Sequence, residues 1–115
     1  MPGKAVETLR FALRGVGLLF GTLNIWMLTA ASVATALLAL YLSVSPVEWC
    51  LLILATGSVW VAEALNTALE RLTDLASPGF HPLAGKAKDI AAGAVLIAGT
   101  AALAVGAIIF VPKLI

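Results

Sequence analysis

Long stretches without any charged residue are the feature that most restricts how this chain can fold. No charged side chain occurs in the ranges 15–47, 49–62 and 90–112. The longest of these ranges match the roughly 20 apolar residues that cross a bilayer as an α-helix. The sequence therefore predicts three transmembrane helices, at 22–44, 48–72 and 88–111.

The overall composition favours an all-α membrane protein of one domain, residues 1–115. Hydrophobic residues make up 62% of the chain and charged residues 11%, against about 25% charged residues in ordinary soluble domains. A small soluble helical bundle would need a polar face on each helix, whereas these segments are apolar all round. The net charge of +1 offers nothing to attract nucleic acid, so no nucleic-acid partner is expected.

The basic residues predict how the chain crosses the membrane. The loop between the first two predicted helices has none, so the positive-inside rule places the N-terminus and residues 73–87 in the cytoplasm and the C-terminus outside. A basic start before an apolar run is also typical of a signal peptide, but this run continues to Val44. The basic residues on the predicted cytoplasmic side are Lys4, Arg10, Arg14, Arg71, Lys86 and Lys88.

Residues 4–20 form a different kind of segment, which we interpret as an amphipathic helix in the membrane interface. At 100° per residue its apolar and charged side chains gather on separate arcs. Phe11 falls on the charged side, where it is either an interfacial anchor or a platform on which a base stacks. The apolar arc holds Val6, Leu9, Leu13, Val16 and Phe20, and the charged arc holds Lys4, Glu7, Arg10 and Arg14.

A polar stripe marks the end of the second predicted span. Helical projection puts Glu63, Asn66, Thr67, Glu70 and Asp74 within an arc of about 100°. Glu63 lies about two turns, roughly 10 Å, deeper than Glu70. One interpretation is that the stripe joins helices by hydrogen bonds. The other is that Glu63 accepts a proton and Glu70 binds a metal, for a hydroxyl nucleophile from lipid and a nucleotide from the cytosol.

Two further patterns lie in and before the third span. His81, Lys86, Lys88 and Asp89 stand at its cytoplasmic end, where basic residues either fix topology or help Glu70 to hold a magnesium-bound triphosphate. No glycine-rich phosphate-binding loop occurs in the sequence. A row of small residues favours close helix packing, within the chain or with another copy: Ala94, Ala98, Ala102 and Gly106.

Two motifs in these segments resemble a known family. "EALNTALERLTDL" at 63–75 and "FHPLAGKAKDIAAGAVL" at 80–96 are similar to the signature of the small prokaryotic integral-membrane diacylglycerol and undecaprenol kinases. The likeness extends to "LRFALRG" at 9–15 and "SPVEW" at 45–49. It implies a homotrimer in the prokaryotic inner or plasma membrane, with active sites shared between subunits. It also implies transfer of the γ-phosphate of magnesium ATP to a lipid hydroxyl, a step of phospholipid biosynthesis.

The resemblance also implies roles for individual residues. Glu63 becomes the general base, Glu70 the ligand of Mg²⁺ or the nucleotide, and Asn66 a supporting residue. The other implied nucleotide contacts are Lys88 and Asp89 at the phosphates, Gly79, Phe80 and His81 in the pocket, and, in the N-terminal helix, Lys4 and Phe11, the latter at a position that the family often fills with tyrosine.

One segment departs from the family pattern. The family has a glutamate that helps to hold Mg²⁺ at the start of the first span, where this chain has Thr22 in "TLNIWML". Asn24 matches, while Trp26 and Leu28 replace an arginine and a histidine. Two hypotheses follow: an active lipid kinase, or a non-catalytic or impaired relative that binds lipid or nucleotide or assembles with an active homologue. The sequence does not distinguish diacylglycerol from undecaprenol as the lipid.

Overall fold

Four α-helices form the protein, which we describe from a computed structural model of residues 2–115. Helices α2, α3 and α4 are long and apolar enough to cross a membrane. Helices α3 and α4 contain the second and third predicted spans, whereas α2 ends three residues before the predicted end of the first span at residue 44. The helices in chain order are α1, Pro2–Leu19; α2, Leu23–Tyr41; α3, Pro46–Ala76; and α4, Pro82–Leu114.

The lengths of α3 and α4 exceed what a bilayer core requires. Helix α3 has 31 residues and α4 has 33, which at 1.5 Å per residue gives about 46 and 50 Å. The hydrocarbon core is about 30 Å thick. The hairpin of α3 and α4 therefore extends beyond the core, and its polar residues near the connecting loop, 77–81, can reach water.

Helix α4 begins six residues before the span predicted from residue 88. The His81 side chain caps it, because Nδ1 accepts a hydrogen bond from the Leu83 amide at 3.1 Å. Pro82 follows at the first helical position, where its missing N–H costs no hydrogen bond.

A capping box starts α3 two residues before the predicted boundary. The Ser45 amide donates to the Glu48 carboxylate at 2.9 Å, and the Glu48 amide donates to Ser45 Oγ at 3.2 Å, so each residue satisfies a free donor of the other. Glu48 also forms an ion pair with Lys113 at 3.2 Å. This pair joins the start of α3 to the end of α4.

Helix α4 packs along α3 through a seam of small and branched residues. The seam recurs in steps of four and three, whereas the predicted small-residue row had steps of four only. Residues four apart are rotated by about 40° from one another around a straight helix, so a row in steps of four does not stay on one face. The first residue of the predicted row, Ala94, is exposed. The buried or half-buried residues of the seam are Ala91, Val95, Ala98, Ala102, Val105 and Ile109.

Helix α2 is attached more loosely and leaves a groove. Trp60 Nε1 of α3 donates to Ser32 Oγ of α2 at 2.9 Å, and Ser32 Oγ donates to the Leu28 carbonyl at 2.8 Å. Ile25 and Ala39 are fully buried, but much of the remaining surface of α2 faces an open groove of about 510 Å³ between α2, α3 and α4. We call this the α2–α4 groove.

An aromatic cluster fixes the elbow between α1 and α2. The Phe20 ring lies 5.5 Å from Trp26 and 6.0 Å from Trp60, and Trp26 Nε1 donates to the Phe20 carbonyl at 2.9 Å. A Cβ at Gly21 would lie 3.2 Å from the Leu18 carbonyl, which favours glycine in this tight turn. Residues 3–18 of α1 are exposed. The interfacial position of α1 and the trimer remain predictions.

The seam between α3 and α4 can be tested by overpacking. Ala98→Leu adds three carbon atoms where the two backbones approach closely, so we expect a loss of about 1–3 kcal/mol of stability. Ala101→Leu is the control, because Ala101 is exposed. The measurement is unfolding in detergent micelles followed by circular dichroism. Equal stability of the two variants would show that Ala98 faces lipid.

The Trp60–Ser32 hydrogen bond can be tested by a double-mutant cycle. Trp60→Phe keeps an aromatic ring without the N–H donor, and Ser32→Ala removes the acceptor. Hydrogen bonds between transmembrane helices contribute about 0.6 kcal/mol on average. The stability lost in the double variant should therefore be smaller than the sum of the two single losses by about that amount. Strictly additive losses would mean that this bond does not hold α2 to α3.

Candidate functional site

The continuous helix α3 places the predicted polar stripe on one face. Helix α3 runs unbroken through residues 63–74, so side chains spaced by three or four residues lie one above another. From the deep end toward the loop, the stripe contains Glu63, Asn66, Thr67, Glu70 and Asp74.

Glu63 is the one buried charged side chain in the described part of the chain, with 8% of its surface exposed. Among residues 2–115 it makes no hydrogen bond or ion pair. Burying a carboxylate without a partner is costly. A carboxylate kept in this state is available to take a proton from a group that reaches it.

Asn66 and Glu70 are in contact one turn further along. Asn66 Nδ2 donates to Glu70 Oε1 at 3.3 Å. The other amide atom, Asn66 Oδ1, is buried and has no hydrogen-bond partner within residues 2–115. An unsatisfied buried acceptor costs about 1–3 kcal/mol. The structure therefore brings these two predicted site residues together and leaves the buried Asn66 oxygen without a partner.

Lys88 reaches across from α4 to the same stripe. Its Nζ donates to Asp74 Oδ1, one turn beyond Glu70 on α3. Both side chains are partly exposed, 39% for Lys88 and 64% for Asp74, so the ion pair adds little stability. Its effect is to place a cation beside the stripe. No separate role was predicted for Asp74 from the sequence, although its position four residues after Glu70 places it on the same face of α3.

The loop residues expected at the nucleotide pocket lie at the same end of the α3–α4 hairpin. The Gly79 carbonyl accepts a hydrogen bond from Ser77 Oγ at 3.3 Å. Phe80 is 96% exposed, and His81 caps α4. Asp89 follows Lys88 and is exposed. Gly79, Phe80 and His81 thus lie in the loop that joins α3 to α4, and Asp89 lies two turns into α4.

The two predicted site residues of α1 are not brought to the stripe. The Arg14 guanidinium lies 5.7 Å from the centre of the Phe11 ring, and the Lys4 carbonyl accepts from Thr8 Oγ1 at 2.9 Å. Within residues 2–115, the side chains of Lys4 and Phe11 make no hydrogen bond, ion pair or ring contact with α3 or α4. Helix α1 of the same chain therefore does not close over the site.

Thr22 does not replace the missing carboxylate. It occupies the N-cap position of α2, and its Oγ1 donates to the Leu19 carbonyl at 3.0 Å instead of capping the helix. Helix α2 thus contributes a hydroxyl, already engaged with the backbone, where an acidic side chain was expected from the family pattern.

The face of α3 that carries Glu63 also borders the α2–α4 groove. Residues one to three turns before Glu63 on this face, Leu52, Thr56 and Val59, line the groove. Its walls are otherwise mostly small residues of α2 and α4. An apolar channel therefore runs along α3 from the neighbourhood of the buried carboxylate away from the hairpin loop.

The oxygen atoms near Glu70 suit a hard divalent cation. Within residues 2–115 no group of three or more His, Cys, Asp or Glu side chains converges on one point. Mg²⁺ does not require such a group, because it keeps several waters and binds one or two protein oxygens together with phosphates. The exposed carboxylate of Glu70 provides the oxygens that fit such an ion.

Comparison with known proteins adds a family match. The sequence profile of the family described as "Prokaryotic diacylglycerol kinase" matches residues 10–110. This range includes all five polar residues of the stripe and the whole loop between α3 and α4.

The individual relatives are named either undecaprenol kinase or diacylglycerol kinase. An undecaprenol kinase of Bacillus subtilis is 40% identical over 85 residues, 74% of this chain and 69% of that protein. A diacylglycerol kinase of Synechocystis is 41% identical over 110 residues, 92% of this chain and 62% of that protein. A diacylglycerol kinase of Helicobacter pylori is 47% identical over 60 residues, 52% of this chain and 47% of that protein. The match spans less than two thirds of the length of the latter two.

Proposed function

The chain belongs to the prokaryotic diacylglycerol kinase family, and from that membership we propose that it phosphorylates a membrane lipid hydroxyl with ATP and Mg²⁺. The single observation that carries the proposal is the buried, unpaired Glu63 two turns below Glu70 on one helix face. This spacing suits a reaction in which a lipid arrives from the membrane and a nucleotide from the water.

Glu63 is the general base of the proposed reaction. Its carboxylate takes the proton of the lipid hydroxyl while the hydroxyl oxygen forms a bond to the γ-phosphorus of ATP. The bond between that phosphorus and the bridging oxygen breaks, and ADP leaves. Support comes from the burial of Glu63 and from its lack of a partner among residues 2–115, because a carboxylate already held by a cation would be a poorer base.

The groups near the loop end of the α3–α4 hairpin bind the phosphates. Mg²⁺, when bound, neutralises phosphate charge and draws electrons from the reacting phosphorus. Glu70 holds the ion, and Lys88, turned toward the stripe by Asp74, contacts the phosphate oxygens. Gly79, Phe80, His81 and Asp89 border the nucleotide.

The α2–α4 groove takes the lipid chain. The groove lies along the face of α3 that carries Glu63, on the side toward the bilayer centre. It has a volume of about 510 Å³ and is lined by apolar and small residues. Diacylglycerol and undecaprenol each present a primary hydroxyl with a long apolar chain, so both fit this arrangement. The groove orients either lipid with its hydroxyl toward Glu63.

The active assembly is proposed to be a homotrimer in the prokaryotic inner membrane, with the N-terminus cytoplasmic and the C-terminus outside. Residues 3–18 of α1 are exposed, and Lys4 and Phe11 stay away from the stripe of their own chain. This placement supports a role for α1 at the site of a neighbouring subunit.

A non-catalytic relative is the alternative, and Thr22 is the observation that favours it. The hydroxyl of Thr22 is engaged with the Leu19 carbonyl, so the first span lends no carboxylate to a metal. Such a protein would still bind lipid or nucleotide, or assemble with an active homologue.

The role of Glu63 can be tested with Glu63→Gln. The substitution keeps the size of the side chain and removes the base, so lipid phosphorylation should fall by about 10²-fold or more while the protein stays folded. The measurement is transfer of labelled phosphate in mixed micelles. Glu48→Gln, at the opposite end of α3, is the control and should retain activity. Unchanged turnover of the Glu63 variant would eliminate the assigned role.

Position 22 separates the two functional hypotheses. If the protein is a kinase with a weakly held Mg²⁺, Thr22→Glu restores a carboxylate and should raise activity at limiting Mg²⁺. The measurement is a Mg²⁺ titration of phosphate transfer for both forms. Equal Mg²⁺ dependence of two active forms would show that position 22 lies outside the metal site. An inactive parent that still assembles, with no gain from the substitution, would favour the non-catalytic alternative.

A further inference from the structure

The apolar arc of α1 is a surface that no other segment of residues 2–115 covers. Exposed apolar stripes of this kind mark contacts with a membrane or with another protein. Only residues 20–22 separate α1 from α2, so α1 lies near one surface of any membrane that α2 crosses. The arc residues within 3–18 are 55–65% exposed: Val6, Leu9, Leu13 and Val16.

Two arginines lie along one edge of this arc. At 100° per residue, Arg10 lies about 80° and Arg14 about 120° from the centre of the arc. The opposite edge carries only the small side chains of Ala5 and Ala12. When the apolar arc of a helix lies among acyl chains, long basic side chains at its edge extend toward the headgroups. Arg10 and Arg14 would then lie at the level of the lipid phosphates.

Both guanidinium groups are available to bind an anion. Arg10 and Arg14 are exposed and form no ion pair within residues 2–115. The Arg14 guanidinium lies over the Phe11 ring, 5.7 Å from its centre, and contact with a ring face leaves its N–H groups free to donate. Residues four apart on a helix are neighbours on its surface. The two arginines can therefore contact the same phosphate or adjacent ones.

An anionic phospholipid matches both parts of this surface. Its phosphate complements the arginines, and its acyl chains cover the apolar arc beside them. A nucleotide offers phosphates without an apolar chain, and in a zwitterionic lipid the headgroup amine offsets the phosphate charge. The net charge of residues 3–18 is +2, from three basic residues and one acidic residue: Lys4, Arg10, Arg14 and Glu7.

We propose that Arg10 and Arg14 bind the headgroup phosphate of an anionic phospholipid, while the apolar arc of α1 lies among the acyl chains. This contact holds α1 against the membrane surface. Lys4 and Phe11 lie on the other side of α1, about 160° and 180° from the centre of the arc. Lipid binding therefore leaves these two residues accessible from the water.

Lipid binding to the full chain tests this proposal without depending on phosphate transfer. The purified protein in detergent is titrated with phosphatidylglycerol or phosphatidylcholine, and the bound lipid is measured by native mass spectrometry. Each basic residue near anionic headgroups strengthens binding by about fivefold. Arg10→Gln/Arg14→Gln should therefore weaken phosphatidylglycerol binding by about 20-fold and change phosphatidylcholine binding by less than about threefold.

Two further variants separate this site from general effects. Arg71→Gln/Lys86→Gln also removes two exposed basic residues that form no ion pair within residues 2–115. It should weaken phosphatidylglycerol binding by less than about threefold. Arg10→Lys/Arg14→Lys keeps both charges and should bind within about threefold of the parent. Circular dichroism verifies that each variant is as helical as the parent.

Four results would overturn the proposal. Equal weakening by the Arg71/Lys86 variant would show a general effect of charge, and equal loss of both lipids would show an effect of apolar contact. A parent that does not prefer phosphatidylglycerol would remove the anionic ligand. Displacement of the lipid by ATP from the parent, but not from Arg10→Gln/Arg14→Gln, would assign the arginines to the nucleotide instead. A protein that shows the expected lipid pattern but transfers no phosphate would retain this site and lose the kinase proposal.

Discussion

The absence of water in the hydrocarbon core is the constraint on which the rest of the structure depends, because each polar group there must find its partner within the protein. The chain meets this requirement almost everywhere. The hydroxyls of Thr29, Ser58 and Thr100 donate to carbonyls four residues earlier, and Trp60 donates to Ser32. Within residues 2–115, the Glu63 carboxylate and the Asn66 oxygen are polar groups of α3 without a hydrogen-bond partner. They lie one turn apart, in the part of α3 to which the proposed function assigns the proton acceptor.

The α3–α4 hairpin is the frame that holds these groups. An ion pair joins the two helices at each end, Glu48 with Lys113 and Asp74 with Lys88, and the buried or half-buried seam of α4 lies between these pairs. Helix α2 is held mainly by the elbow cluster, the Trp60–Ser32 bond and the turn before α3, and this looser attachment leaves the α2–α4 groove open. In the proposed function, a firm hairpin with a groove on the Glu63 face would give a lipid access while the groups proposed to bind phosphate keep their positions.

The sequence predicted the three long helices because stretches without charge can be recognised locally, and the family suggested by the motifs at 63–75 and 80–96 is confirmed by the match over residues 10–110. The stripe followed from spacing along one helix. The early start of α4 was missed, because the cap by His81 depends on a side-chain orientation. The Asp74–Lys88 pair and the Trp60–Ser32 bond depend on how two helices are rotated against each other, which residue spacing within one helix does not specify. The site roles and the trimer remain predictions.

The most direct test of the account is whether the purified protein phosphorylates a lipid. Labelled ATP and Mg²⁺ are supplied in mixed micelles with diacylglycerol or undecaprenol as the only acceptor, and the label in the lipid fraction is measured. We expect label to accumulate in at least one of the two lipids and to depend on Mg²⁺. A folded, helical protein that labels neither lipid, over a range of Mg²⁺ concentrations, would contradict the account.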